Sequence, residues 1–110
     1  MEVKGQLDLL LLAVLARTGP AHGYAVIAAL REQSTGTFDL PEGTVYPTLH
    51  RLEAAGLITS RWDTSAARRR RVYTLTPAGQ QTRVAKQREW QTFARAVRRV
   101  VGDGGQAATA

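Results

Sequence analysis

Between Gln6 and Arg17 the chain reads as a helix whose segment LDLLLLAVLA, Leu7 to Ala16, is apolar around nearly its whole circumference. A helix lying on a protein surface carries one apolar stripe and one polar face. This one therefore has to be covered on two sides, once by its own domain and once by something else. A second copy of the chain is the simplest cover, which makes Leu7, Leu10, Leu11 and Val14 candidate dimerisation residues. The run is too short to cross a bilayer, which takes about 20 apolar residues. It also lacks the small-residue cleavage site that follows a basic start in a signal peptide, so a soluble, cytoplasmic protein is expected. At 110 residues the chain is one small domain, for which burial shared with a partner subunit would supplement a modest core.

Thr18-Gly19-Pro20 ends that helix by turn chemistry. A second helix is predicted from Gly23 to about Gln33, with Tyr24, Ile27 and Ala28 on one face. A third follows in PEGTVYPTLHRLEAAG, where Val45, Leu49 and Leu52 recur at i, i+4 and i+7 and Gly56 supplies the stop. Its opposite face carries Thr44, Thr48 and Arg51. Pro47 leaves the start open: either the helix begins near Pro41 and runs through it, or it begins after Thr44 with Pro47 in the first turn, where a missing N–H costs nothing. Leu57 to Asp63 and Arg69 to Leu75 read as a β-hairpin with a polar, then strongly basic, tip from Thr64 to Arg68. Thr76-Pro77 then supplies a cap and a first-turn proline for a long last helix to about Val101. On it Trp90, Phe93, Val97 and Val100/Val101 recur at three-four spacing, a seam of the kind that packs helix on helix.

The charge balance narrows the partners. Fifteen Lys and Arg face nine Asp and Glu, a formal charge of +6, and thirteen of the fifteen are arginine, the side chain suited to phosphates and guanine edges. A chain without cysteine has no disulfide, thiolate metal site or cysteine nucleophile. Its two histidines, His22 and His50, lack the carboxylate pattern of a metal site, and no phosphate-cradling loop or acid–base pair is visible. No enzyme, metal or cofactor is expected. His22 reads as a structural cap before the second helix, His50 as a surface residue, and Tyr24 and Tyr73 as packing residues.

Three helices followed by a two-stranded hairpin form the winged helix-turn-helix arrangement, a mainly α, α+β fold. The expected organisation is a DNA-binding region over residues 1–76, a dimerisation helix over 77–101 and a small, polar, disordered tail over 102–110. In such folds the second helix of the helix-turn-helix pair enters the major groove. Thr44, Tyr46, Thr48 and Arg51 are then the DNA-facing candidates on the third helix. Arg68, Arg69, Arg70 and Arg71 are those on the wing, where arginine is drawn to narrow A·T-rich minor grooves. Strand residues alternate faces, so Arg69 and Arg71 should point away from Arg68 and Arg70, and at least two of the four, but not all, should meet the duplex.

Three blocks carry a resemblance: HGY at His22 to Tyr24, GTVYPTLHRLEAAGLI at Gly43 to Ile58, and RRVYTLTPAG at Arg70 to Gly79. In this order and spacing, over roughly residues 5 to 80, they are similar to the signature of the PadR family of bacterial transcriptional regulators. Val45 stands where that family usually has leucine. The single, short last helix resembles the family's shorter branch. What the resemblance implies is a homodimeric DNA-binding regulator whose first and last helices interlock across subunits, usually a repressor, released by small aromatic ligands or other signals. Trp90 has two readings: a bulky residue closing the dimer, or, with Phe93, Arg83 and Gln87 nearby, one wall of a cavity at the two-fold axis where a flat aromatic effector stacks. The alternative to a sequence-specific repressor is a winged-helix module that binds DNA without sequence preference or binds an acidic protein.

Overall fold

The computed structural model describes residues 3–65 and 67–102 of the chain. Helix α1 spans Val3–Thr18, strand β1 Ala21–His22, α2 Gly23–Gln33, α3 Glu42–Ala54, β2 Ile58–Asp63, β3 Arg70–Leu75 and α4 Pro77–Val101. Gly102 follows α4, and the remainder of the tail expected to be disordered, 103–110, lies outside the described residues. The architecture is the expected mainly helical winged helix, with one strand more than the hairpin. The sheet has the order β1-β3-β2, antiparallel throughout, with Ala21 opposite Tyr73 and His22 opposite Val72. Two residues show no alternation of their own, and β1 exists only because β3 offers an edge.

Local chemistry explains where each helix stops. The Thr18 hydroxyl donates to the Val14 carbonyl at 2.8 Å, and the Gly19 N–H to Leu15 at 2.9 Å before Pro20 prevents another turn. At the end of α3 the N–H groups of Gly56 and Leu57 bond back to Glu53 and Leu52, a Schellman closure with Gly56 at φ 78°, where only glycine sits without strain. The same closure ends α2, but there the left-handed residue is Thr35 at φ 53°. The start of α3 is resolved in favour of the earlier position: Pro41 precedes the first turn, its carbonyl accepts from Thr44 and Val45, and Pro47 lies inside the helix. The Gly43 carbonyl consequently loses the helical donor that a residue other than proline would supply.

Leu7, Leu11, Leu12, Val14 and Leu15 of α1 are all at most 4% exposed, buried with Val26, Leu30, Val45, Leu49, Leu52, Ile58 and Tyr73. Leu10 is half-buried against the same cluster. This corrects the expectation for α1. α2, α3, α4 and β3 bury Leu7, Leu11 and Val14 as core residues of the chain itself, while the stripe of Leu9, Leu10 and Ala13 is half-buried and Ala16 is exposed. The opposite holds for α4, whose only buried residue is Gly79. Its first turn is anchored: the Thr76 hydroxyl accepts from Gly79 N–H at 3.0 Å and donates to the Gly56 carbonyl at 2.7 Å. Gly79 presses so close to the α3–β2 turn that a Cβ there would lie 1.9 Å from the Leu57 carbonyl oxygen. The next turns of α4 pack against α1, with Thr82, Arg83, Val84, Lys86 and Gln87 half-buried, and from Arg88 the helix runs on largely exposed, stretching the molecule to 59 × 27 × 21 Å.

Candidate nucleic-acid interface

Helix α3 presents less to solvent than its sequence pattern suggests. Thr44, in its first turn, is exposed, and Val45, Leu49 and Leu52 are buried as the i, i+4, i+7 spacing predicts. Thr48 does not join Thr44 on an open face. It is 8% exposed and its hydroxyl donates to the Thr44 carbonyl at 3.0 Å, so a hydroxyl expected to meet a base instead satisfies the helix backbone. Arg51 is also redirected. Both guanidinium ends engage the Asp8 carboxylate of α1, Nη1 to Oδ2 at 3.0 Å and Nη2 to Oδ1, and this partner raises the guanidinium pKa further. The guanidinium, still largely exposed, thus makes a fork–fork tie between α1 and α3.

Tyr46 reaches sideways and not outward. Its ring covers Gly23, where an added Cβ would sit 2.2 Å from the Tyr46 hydroxyl, and it meets Tyr24 edge to face at 6.1 Å and His50 at 6.4 Å. Gly23 opens α2, so this glycine is what lets α2 and α3 approach. Tyr24 is 59% exposed and is not the packing residue its position suggests, whereas Tyr73 is, at 1%. Hydrogen bonding to the Glu42 carboxylate and its charge hold the Tyr24 phenol above its usual pKa; burial, then Glu42, does the same for Tyr46. Both phenols therefore keep their protons near neutral pH and remain donors.

The wing arginines alternate as expected, but end in one place. On the face of the sheet shared with Tyr73, the Arg69 and Arg71 guanidinium carbons lie 4.4 and 4.9 Å from the ring centre of Trp62. Arg71 Nε donates to Ser60 Oγ at 2.8 Å, and Ser60 in turn donates to Glu53 of α3. On the other face Arg70 Nη1 lies 3.2 Å from His22 Nε2. Asp63, before the tip, accepts from the Ser65 N–H and hydroxyl, which holds its carboxyl below the usual range. Despite the alternation, Arg68, Arg69, Arg70 and Arg71 all border one cleft of 290 Å³, closed on its other side by His22, Gly23, Tyr24 and Tyr46. Two cationic faces thus meet at the sheet edge where β1 gives way to α2. His22 is the cap its position suggests, its Nδ1 accepting from Ala25 N–H at 3.3 Å.

Sequence reasoning passed over Trp62, half exposed on the wing, although its place two residues after Ser60 and four after buried Ile58 puts it on the inner face. It also passed over Asp8 and Glu42, single carboxylates whose partners lie on other helices. Among the described residues no cluster of three or more His, Asp or Glu could hold a metal ion, and no helix is long and apolar enough to cross a membrane. On α4, Trp90 is 36% exposed, Phe93 51% and Val97 39%, with Trp90 and Phe93 6.1 Å apart and Arg83 Nη1 donating to Gln87 at 2.6 Å.

Residues 11–85 match the transcriptional regulator PadR-like family. The chain is 42% identical over 80 residues to the transcriptional regulator Rv3488 of Mycobacterium tuberculosis, covering 73% of this chain and 70% of that protein. It is 39% identical over 57 residues to the transcriptional regulator YqjI of Escherichia coli, but that match covers only 27% of YqjI. Among solved structures, a transcriptional regulator from Clostridium thermocellum superposes with a TM-score of 0.80 at 27% identity, covering 88% of this chain and 94% of that one. A PadR family transcription regulator from Clostridium difficile superposes with a TM-score of 0.75 at 30% identity, covering 89% and 100%. With its helix order, its wing and three quarters of its length in agreement with these proteins, the chain belongs to the PadR-like family and is a transcriptional regulator, not an enzyme.

Proposed function

We propose that the protein is a homodimeric repressor that binds a specific double-stranded DNA site through α3 and the wing. The observation that carries this reading is the cleft in which four arginines of the wing face His22, the start of α2 and the Tyr24 and Tyr46 side chains. On α3, exposed Thr44 is free to reach a base edge, whereas Thr48 is engaged with the backbone and Arg51 would have to exchange Asp8 for DNA. One short polar side chain discriminates little. Specificity then rests on wing arginines in the minor groove, on DNA shape and on the spacing of two half-sites about 34 Å apart.

The second copy is supported most directly by α4. Trp90, Phe93, Val97, Val100 and Val101 form an apolar stripe on a helix that leaves its own domain, and a symmetric pairing would cover it. The same pairing places two Trp90 rings near the two-fold axis, where a flat aromatic effector could stack and shift the half-site spacing.

Gel-shift titration of the DNA upstream of the protein's own gene against random duplex, at two salt concentrations, tests the central claim. A specific complex tighter by at least tenfold is expected, with log K falling by about 0.9 for each phosphate neutralised per log unit of salt. Equal affinity for both duplexes overturns the specific reading in favour of a non-specific module. Calorimetry with planar aromatic compounds on wild type and Trp90→Ala tests the effector; unchanged heats would remove Trp90 from that role.

A further inference from the structure

The hydrogen-bond roles around His22 do not close within the chain. The ring nitrogens face two donors, Ala25 N–H at Nδ1 and the Arg70 guanidinium at Nε2. An imidazole holding a proton on one nitrogen has a single lone pair to offer, so one ring N–H must face another N–H. The Ala25 bond is the partly buried one and caps α2, where an unmatched amide is costly. The lone pair therefore stays on Nδ1 and the proton on Nε2. That leaves Nε2–H and the Arg70 Nη1–H groups, 3.2 Å apart, as adjacent donors at an exposed position on the cleft. Asp63, opposite Arg70 in the sheet register, acts on it through charge, but its hydrogen bonds go to Ser65 and it forms neither a hydrogen bond nor a close ion pair with Arg70.

We propose that His22 and Arg70 together form a seat for one phosphoryl oxyanion, filled by a single phosphodiester of the bound duplex. Two nitrogens at this separation can both donate to one oxygen at about 2.9 Å, or to the two non-bridging oxygens of one phosphate. The proposal rests on the DNA-binding reading and sharpens it: a phosphate locks the ring that caps α2 to the wing, so engagement of the backbone fixes the angle between wing and helix-turn-helix. His22 acts there as a donor without net charge, Arg70 as a donor with it. This difference gives the two residues distinct signatures in salt.

The test is a fluorescence titration of the preferred duplex at several salt concentrations with wild type, His22→Asn, Arg70→Gln and the double variant. Asparagine is a good helix cap, so His22→Asn keeps α2 closed while withdrawing the Nε2 donor; His22→Ser, another capping residue, guards against an idiosyncratic substitution. His22→Asn is expected to weaken binding roughly tenfold with an unchanged salt slope, as for one lost bond to a charged group. Arg70→Gln should weaken binding and lower the slope by about one. The double variant should lose less than the product of the two. In a duplex scanned with single neutral methylphosphonates, one position should erase both penalties. Wild-type affinity in both His22 variants, or penalties undiminished at every scanned position, overturns the seat while leaving DNA binding intact. Failure of wild type to bind any duplex instead overturns the reading on which the seat rests. Competition by inorganic phosphate beyond chloride of equal ionic strength, lost in His22→Asn, would reassign the seat to the free anion.

Discussion

Helices α1 and α4 are the two apolar-rich ends of the protein, and they use their apolar residues in opposite ways. Leu11, Leu12 and Leu15 of α1 are at most 2% exposed, whereas Phe93 and Val97 of α4 are 51% and 39% exposed. The helix with the more apolar sequence buries most of its leucines within its own chain. The amphipathic one, with charge around most of its girth, carries its stripe out of the domain. Apolar content alone therefore says that a surface must be buried, not by what. The difference between the helices is where each enters the fold: α1 lies at the centre, touched by three helices and β3, while only the first half of α4 is held, by Thr76, Gly79 and packing on α1.

That contrast can be broken by substitution. Leu11→Ala should cost about 4 kcal/mol of unfolding free energy, because a fully buried leucine leaves a cavity, and the loss should be independent of protein concentration in urea titrations. Gly79→Ala should cost about 3 kcal/mol, since the added methyl meets the Leu57 backbone and the α4 anchor must shift; amide exchange in α4 should rise with it. Val97→Asp should leave the folding of a single domain nearly unchanged yet convert dimer to monomer in sedimentation equilibrium. A concentration-independent loss of stability in Val97→Asp would mean that α4 folds back onto its own chain. Arg51→Ala is the smallest, under about 1 kcal/mol, because an ion pair with one exposed partner is well screened by water, and the loss should shrink further in high salt.

Much of the scaffold was legible. The i, i+4, i+7 pattern of Val45, Leu49 and Leu52 found the buried stripe of α3, and Thr76-Pro77 marked the start of α4 to the residue. The hairpin was visible from its β-branched and aromatic runs. The site was read less well. Thr48 and Arg51 share a face with Thr44 on a helical wheel, but the wheel does not show the Thr48 hydroxyl turning onto its own backbone, nor Asp8 reaching Arg51 from 43 residues away. On the wing, alternation correctly separated Arg70 from Arg69 and Arg71. It did not show that both faces of a narrow ribbon can border the same cleft once β1 ends and α2 begins.

The sequence by itself determined the order of elements, the caps and stops of the helices, the basic wing and the family, because turn chemistry and hydrophobic period act over a few neighbouring residues. Only the tertiary structure decided what covers α1, that Ala21 and His22 form a strand, which arginines are engaged within the chain and which nitrogen of His22 faces the cleft. Each of these depends on groups distant along the chain, brought to within a few ångströms by packing. Periodicity carries no record of such approaches. The stretch from Gly43 to Ile58 shows both at once: its apolar positions follow the local period, while its polar positions take roles set by whatever the rest of the fold places beside them.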